Sequence, residues 1–224
     1  MDTLERELKL VPDDEALLDT LASVERLGPF EARGRRRELQ RNSFFDSTAG
    51  GLAAARVGFR RRVVAHESLA TWSIKGDAQH VGGVASRSEI ELQLEADTPP
   101  ALALEALRAA AASRGAEALA DAVSRALTTG QPSTHPFLET ETDRRIVDLE
   151  EPTRGWQIEL ALDRMRVVGH NYREIEIEAE LKQGADEALA AVRSAIESLG
   201  QVVHESKGSK LSRATAHLSH CKCP

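Results

Sequence analysis

Residues 174–181 read EIEIEAEL, and residues 4–10 read LERELKL. In an extended chain, successive side chains point to opposite faces. Glu174, Glu176, Glu178 and Glu180 then share one face, with Ile175, Ile177, Ala179 and Leu181 on the other. In the first stretch Glu5, Glu7 and Lys9 align, opposite Leu4, Leu8 and Leu10, with Arg6 the exception. An antiparallel strand with one wet face would explain either stretch alone. Four like charges in a row repel one another, however, and no purely structural role requires them.

Other stretches repeat the pattern. In 86–95, Arg87, Glu89 and Glu91 oppose Ile90, Leu92 and Leu94. In 155–164, Glu159 and Asp163 oppose Ile158, Leu160 and Leu162. In 56–66, Arg60 and Arg62 oppose Phe59, Arg61 and Val63, while Lys75 in 69–76 opposes Trp72 and Ile74. With further strands at 35–46 and 137–149, the chain has about eight. None is the continuous apolar run of a parallel sheet. Gly50-Gly51, His66-Glu67-Ser68 and Gly82-Gly83 mark turns. Helices are expected over 11–28, where Pro12 suits the first turn, and over the Ala-rich 99–113 and 116–128. A last helix over 185–199 aligns Leu189, Val192, Ile196 and Leu199.

The whole-chain numbers narrow the function classes. With 224 residues and 41% hydrophobic side chains, the chain suits one compact domain. A net charge of −7 argues against a general nucleic-acid binder but permits a local basic pocket for a small anion. No apolar run is long enough to span a membrane, and no signal-peptide pattern opens the chain. The only cysteines, Cys221 and Cys223, lie at the extreme end, which fits a cytoplasmic enzyme. The seven histidines show no HExxH-type spacing. His217, His220, Cys221 and Cys223 read more simply as a tail than as a soft-metal site. Trp72 and Trp156 suit packing, and Arg35, Arg36 and Arg37 a solvated strand entry.

Charged rows on many strands suggest a barrel turned inside out, with charges in the lumen and helices covering the apolar outside. About eight strands close around one small ligand. Ionised groups in such a lumen must be paired, hydrated or ion-bound. Carboxylate rows call for a divalent cation, and arginine and lysine rows for an anion with many oxygens. A metal-bound polyphosphate satisfies both.

The motifs resemble one family in order over residues 3–213. Glu5-x-Glu7-x-Lys9 is similar to the ExExK signature of the CYTH superfamily, the triphosphate tunnel metalloenzymes. FFDST (44–48), GFRRR (58–62), WSIKG (72–76) and SRSEIEL (86–92) resemble its next four strands, and TDRR (142–145), IELALD (158–163) and EIEIEAELKQG (174–184) its last three. SKGSKLSR (206–213) resembles its basic C-terminal segment, placing Lys210 and Arg213. The segment 129–141 departs from the family pattern.

The resemblance implies an α+β fold: an eight-stranded antiparallel closed β-barrel, or tunnel, with a charged lumen and helices outside. It implies one domain over 1–213 and a disordered tail over 214–224. Glu5, Glu7, Glu176 and Glu178 would hold Mg²⁺ or Mn²⁺, with Glu174 and Glu180 weaker candidates. Lys9, Arg60, Arg62, Lys75, Arg87, Arg144 and Lys210 would bind phosphate oxygens. Glu89 or Glu91 would orient the attacking water or hold a second metal, with Lys75 beside them. The expected reaction releases orthophosphate from tripolyphosphate. A class IV-type adenylate cyclase, a thiamine triphosphatase and a catalytically silent binding module are the alternatives. The partner is a small-molecule triphosphate, with no nucleic acid and no membrane. A homodimer is compatible with the sequence, which shows no interface.

Overall fold

The computed structural model describes residues 4–81 and 84–220. In chain order the elements are β1 (Leu4–Pro12), α1 (Ala16–Ser23), β2 (Arg26–Leu27), β3 (Phe30–Phe45), α2 (Gly51–Ala54), β4 (Gly58–Val64), β5 (Leu69–Lys75), β6 (Gln79–Val81) and β7 (Val84–Glu95). There follow α3 (Pro100–Ser113), α4 (Glu117–Ala126), β8 (Leu138–Glu151), β9 (Trp156–Val167), β10 (Arg173–Gln183), α5 (Glu187–Glu197), β11 (Val203–Glu205) and α6 (Lys210–His220).

The strands form one sheet in the order β11-β1-β10-β9-β8-β3-β4-β5-β7-β6, with β2 paired to β3. An additional β1–β7 pairing joins the ends of this path. Eight strands thus close into an antiparallel barrel, as the alternating patterns imply; β2, β6 and β11 are additional. The turn expected at Gly82-Gly83 lies outside the described residues.

Two compact units divide the chain. One comprises 40–79 and 86–141 with the first residues through Glu5; the other comprises 6–39, 80–85 and 142–224. In the first unit, Phe59, Trp72, Ile74 and Ile90 of β4, β5 and β7 pack with Leu104 and Leu107 of α3 and Val123 of α4. Phe45, Phe59 and Trp72 form a ring cluster with centroids 5.3–5.6 Å apart. Arg61 breaks the apolar parity of β4. Its guanidinium lies 5.8 Å from the Trp72 centroid and 6.0 Å from that of Phe45, so the cation caps the cluster.

In the second unit, Leu8 and Leu10 of β1 pack with Ile158, Leu160 and Leu162 of β9 and with Ile177 and Ala179 of β10. Leu17, Leu18 and Leu21 of α1 and Leu189, Val192 and Ile196 of α5 complete this core. Gly184 is required where β10 ends: its φ is +119°, and a Cβ there would stand 2.5 Å from the Trp156 ring. In each unit the helices cover the apolar face of the strands, which leaves the other face to the charges.

Several elements differ from expectation. The first helix is shorter, because the Asp14 side chain accepts from the Ala16 amide and the chain is extended at Val24 before β2. Leu199 lies beyond α5 and is exposed. Arg36 and Arg37 are not simply solvated: Arg36 pairs with Asp148 and Glu159, and Arg37 with Asp143. Residues 214–220 are not a structureless tail. They continue α6, whose Ala214 is fully buried. Cys221 and Cys223 lie outside the described residues.

Candidate active site

Each unit carries its own cluster of charged side chains. In the second unit the antiparallel register sets Glu176 of β10 opposite Asp163 of β9, and Lys9 of β1 opposite Glu178 of β10. Directly opposed residues share a face. Asp163 and Glu176 are both wholly buried.

Lys210, at the start of α6, sends its ammonium into these acids. Nζ lies 2.7 Å from Asp163, 2.6 Å from Glu176 and 2.8 Å from Glu178. Arg144 of β8 grips Asp163 with two parallel bonds of 2.8 and 2.6 Å and also reaches Glu178. Lys9 bridges Glu7, at 3.0 Å, and Glu178, at 3.1 Å. Arg213, one turn along α6, holds Glu174 and Glu176, each at 2.8 Å. Ser206 donates to Glu176 at 2.6 Å, and Tyr172 to Glu174 at 2.6 Å.

Electrostatics follow from this packing. Burial opposes ionisation of Glu178, but Lys210, Lys9 and Arg144 outweigh it and hold the carboxyl well below its ordinary range. Asp163 is likewise depressed: burial works against its charge, and Arg144 and Lys210 prevail. Burial also works against the Lys210 ammonium, yet its three carboxylate partners raise its pKa. Asp163, Glu178 and Lys210 therefore hold their charges and pair within the cluster.

In the first unit, Arg60 and Arg62 of β4, Ser73 and Lys75 of β5, and Glu89 and Glu91 of β7 share one face by register. Lys75 lies 3.1 Å from Glu5 and 2.8 Å from Glu89. Arg87 donates to Glu5 at 2.7 Å. Arg60 meets Glu91 at 3.2 Å, and Arg62 donates to Asn42 at 3.4 Å. Glu89 stands apart. Its Oε1 is buried with no hydrogen-bond partner, and Arg60 is 3.9 Å away. Burial pushes its carboxyl up to about 8; Lys75 pulls the other way, while Glu5 and Glu91 add to the rise. Glu91 moves oppositely: burial is outweighed by Arg60, Arg62 and Lys75, and its pKa falls.

The expected residues thus sort into two sets. Glu7, Lys9, Arg144, Glu176, Glu178 and Lys210 meet in the second unit. Arg60, Arg62, Lys75, Arg87, Glu89 and Glu91 meet in the first, where Glu5 is engaged by Lys75 and Arg87. Glu180 stands opposite Glu7 on β1 and Glu159 on β9, and pairs with Lys182 at 2.7 Å. Sequence reasoning gave Asp163 no role. Its signal was its parity with Glu159 and the alternation of 158–163, which aim it at the last-strand glutamates. Among the described residues, no three acidic, histidine or cysteine side chains are grouped as a ready metal site.

The CYTH domain profile matches residues 3–215, and the chain belongs to the CYTH domain family, an enzymatic family of triphosphatases and cyclases. Among curated proteins, no sequence matches the chain. Solved structures of the same fold include an adenylyl cyclase candidate from Hippeastrum, described as having a dominant triphosphatase activity. It is 21% identical, with a TM-score of 0.66 over 93% of either chain. A candidate adenylate cyclase from Bacillus halodurans is 19% identical, with a TM-score of 0.55 over 95% of this chain and 98% of that one. Another from Vibrio parahaemolyticus is 14% identical, with a TM-score of 0.53 over 96% and 99%. No helix among the described residues is long and apolar enough to cross a membrane.

Proposed function

We propose that the chain is a metal-dependent triphosphatase that releases orthophosphate from inorganic tripolyphosphate. The observation that carries this reading is the convergence of Asp163, Glu176 and Glu178 on one cationic centre, at 2.6–2.8 Å, in a chain of the CYTH domain family. Carboxylate oxygens are the donors that Mg²⁺ and Mn²⁺ prefer; as placed, these three close on the Lys210 ammonium and are not grouped as a metal site, so they would have to regroup around an ion. We assign Asp163, Glu176 and Glu178 to that ion, with Glu7 adjoining through Lys9.

When bound, the ion would offset negative charge on the phosphates. Arg144 and Lys9 then present cations to phosphate oxygens, Arg144 through a planar fork and Lys9 as a point charge. In the first unit Arg60, Arg62, Lys75 and Arg87 form a second basic set of the same kind. In that unit Glu89 is the group suited to orienting a water, with an unpartnered buried oxygen and a pKa raised toward neutrality. Lys75, 2.8 Å from Glu89, steadies that carboxylate once it is charged. The dominant triphosphatase activity described for the Hippeastrum protein supports hydrolysis over cyclisation.

The test is an assay with tripolyphosphate, ATP and thiamine triphosphate, each with Mg²⁺ or Mn²⁺, detecting phosphate, pyrophosphate and cyclic AMP. Phosphate from tripolyphosphate is expected, and Glu7→Ala or Glu176→Ala should lower turnover at least a hundredfold. Cyclic AMP with pyrophosphate as the main products would replace this reading with a cyclase. Full metal-dependent turnover in Glu176→Ala would remove the site assignment.

A further inference from the structure

We propose that Ser73 is a further substrate-binding residue: its hydroxyl, together with Nε of the directly opposed Arg60, seats one phosphoryl oxygen of the triphosphate. This rests on the triphosphatase reading above and adds a neutral contact to its basic face. Alternation puts Thr71, Ser73 and Lys75 of β5 on the charged face, while Trp72 and Ile74 enter the core. Lys75 carries a charge that announces itself; Ser73 does not.

Ser73 is wholly buried, and its Oγ has no hydrogen-bond partner. The register sets it between Arg60 of β4 and Glu91 of β7. Nε of Arg60 is also buried and unpartnered. Two directly opposed residues thus each hold a donor with no acceptor. The next row along shows that this sheet can satisfy a hydroxyl at the same depth, since Thr71 Oγ1 accepts from Gln93 at 2.7 Å. At Ser73 the flanking side chains instead meet each other. Arg60 Nη2 donates to Glu91 Oε1 at 3.2 Å, across the strand that carries the serine.

A buried donor left unmade costs more than a made one returns. Alanine would occupy the same place without that cost, so the hydroxyl burdens the free protein and is relieved by a bound acceptor. Beside a guanidinium that acceptor is best charged, and at a serine buried among larger side chains it must be small. An ionised phosphoryl oxygen meets both conditions and accepts charge-assisted bonds from both donors. It competes with Glu91 for Arg60. The bond from Ser73, which Glu91 does not receive, favours the phosphate.

The test uses the full chain in a chelator, with tripolyphosphate as the probe. Calorimetric titration gives its Kd for the wild type and Ser73→Ala, and urea unfolding of each free protein gives the midpoint. The expected results are a Kd at least tenfold higher in Ser73→Ala and a midpoint equal to or above that of the wild type. A hydroxyl serving the free protein, for instance through a buried water, would lower the midpoint instead. If Ser73→Ala binds tripolyphosphate as tightly as the wild type, or if its midpoint falls, the assignment of Ser73 is overturned while the triphosphatase reading stands. If the wild type itself binds no tripolyphosphate, the basic face is not the anion site, and both assignments fall together.

Discussion

Glu89 and Glu178 belong to the same kind of strand, yet their surroundings drive them in opposite directions. Burial raises Glu89 from an ordinary value of 4.5 to about 8. Between those values the folded chain binds more protons at this group than the unfolded chain does. The stability its neutral form contributes is complete below about pH 4.5 and is lost as pH rises through 8, at up to about 1.4 kcal/mol per pH unit. Glu89→Gln fixes the neutral form. Its melting temperature relative to the wild type should therefore rise from pH 5 to pH 8, and parallel curves would contradict the account. Burial also opposes the charge on Glu178, but Lys210, Lys9 and Arg144 depress its pKa well below 4.5. That contribution is present above the ordinary carboxylate range and is lost as pH falls through the depressed value. Glu178→Gln leaves three cations short of a partner, and breaking one side of a buried network costs about 3–5 kcal/mol. Urea unfolding should show that loss at pH 7 and a smaller one at pH 4.

At the scale of elements, what was legible in the sequence is what alternation encodes. Glu5, Arg60, Lys75, Glu89 and Glu176 could each be placed on a face because charged and apolar residues interleave around them, with Arg6 and Arg61 the exceptions, and the eight barrel strands follow. Alternation does not encode elements held by contacts distant in sequence. The short α2 has no periodic signal. Asp46 and Ser47 hold its start: the Asp46 carboxylate accepts from the amides of Ser47, Leu52 and Ala53, and the Ser47 hydroxyl accepts from that of Gly51. The polar α6 reads as a tail until Lys210 and Arg213 are seen in their ion pairs, and Asp163 has no evident role until the register sets it against Glu176. The FFDST motif therefore has a structural reason, which can be measured. Asp46→Ala should cost about 1–2 kcal/mol, the usual loss of a capping side chain, seen as a lower urea midpoint at unchanged slope. An unshifted midpoint would mean that α2 is held by its packing on α4 alone.

Over the whole molecule the two clusters differ in their balance of charge, so each should answer to its own ligand. In the first unit Arg60, Arg62, Lys75 and Arg87 face Glu5, Glu89 and Glu91, and Glu89 is neutral below about pH 8. That face has a cationic surplus suited to a polyanion. In the second unit Glu7, Asp163, Glu174, Glu176 and Glu178 outnumber Lys9, Arg144, Lys210 and Arg213. That face is suited to a metal. A ligand at a hundred times its Kd stabilises the state that binds it by about 2.7 kcal/mol. For a chain of this length that is a rise of roughly 5–10 °C in melting temperature, taking about 2–4 °C per kcal/mol. Tripolyphosphate in the presence of a chelator should raise the melting temperature of the wild type, but not of Arg60→Ala/Lys75→Ala. Mn²⁺ alone should raise it in the wild type and in that double variant, but not in Glu176→Gln. If the Mn²⁺ shift survives Glu176→Gln and vanishes in Arg60→Ala/Lys75→Ala, the acidic and basic roles have been assigned to the wrong units.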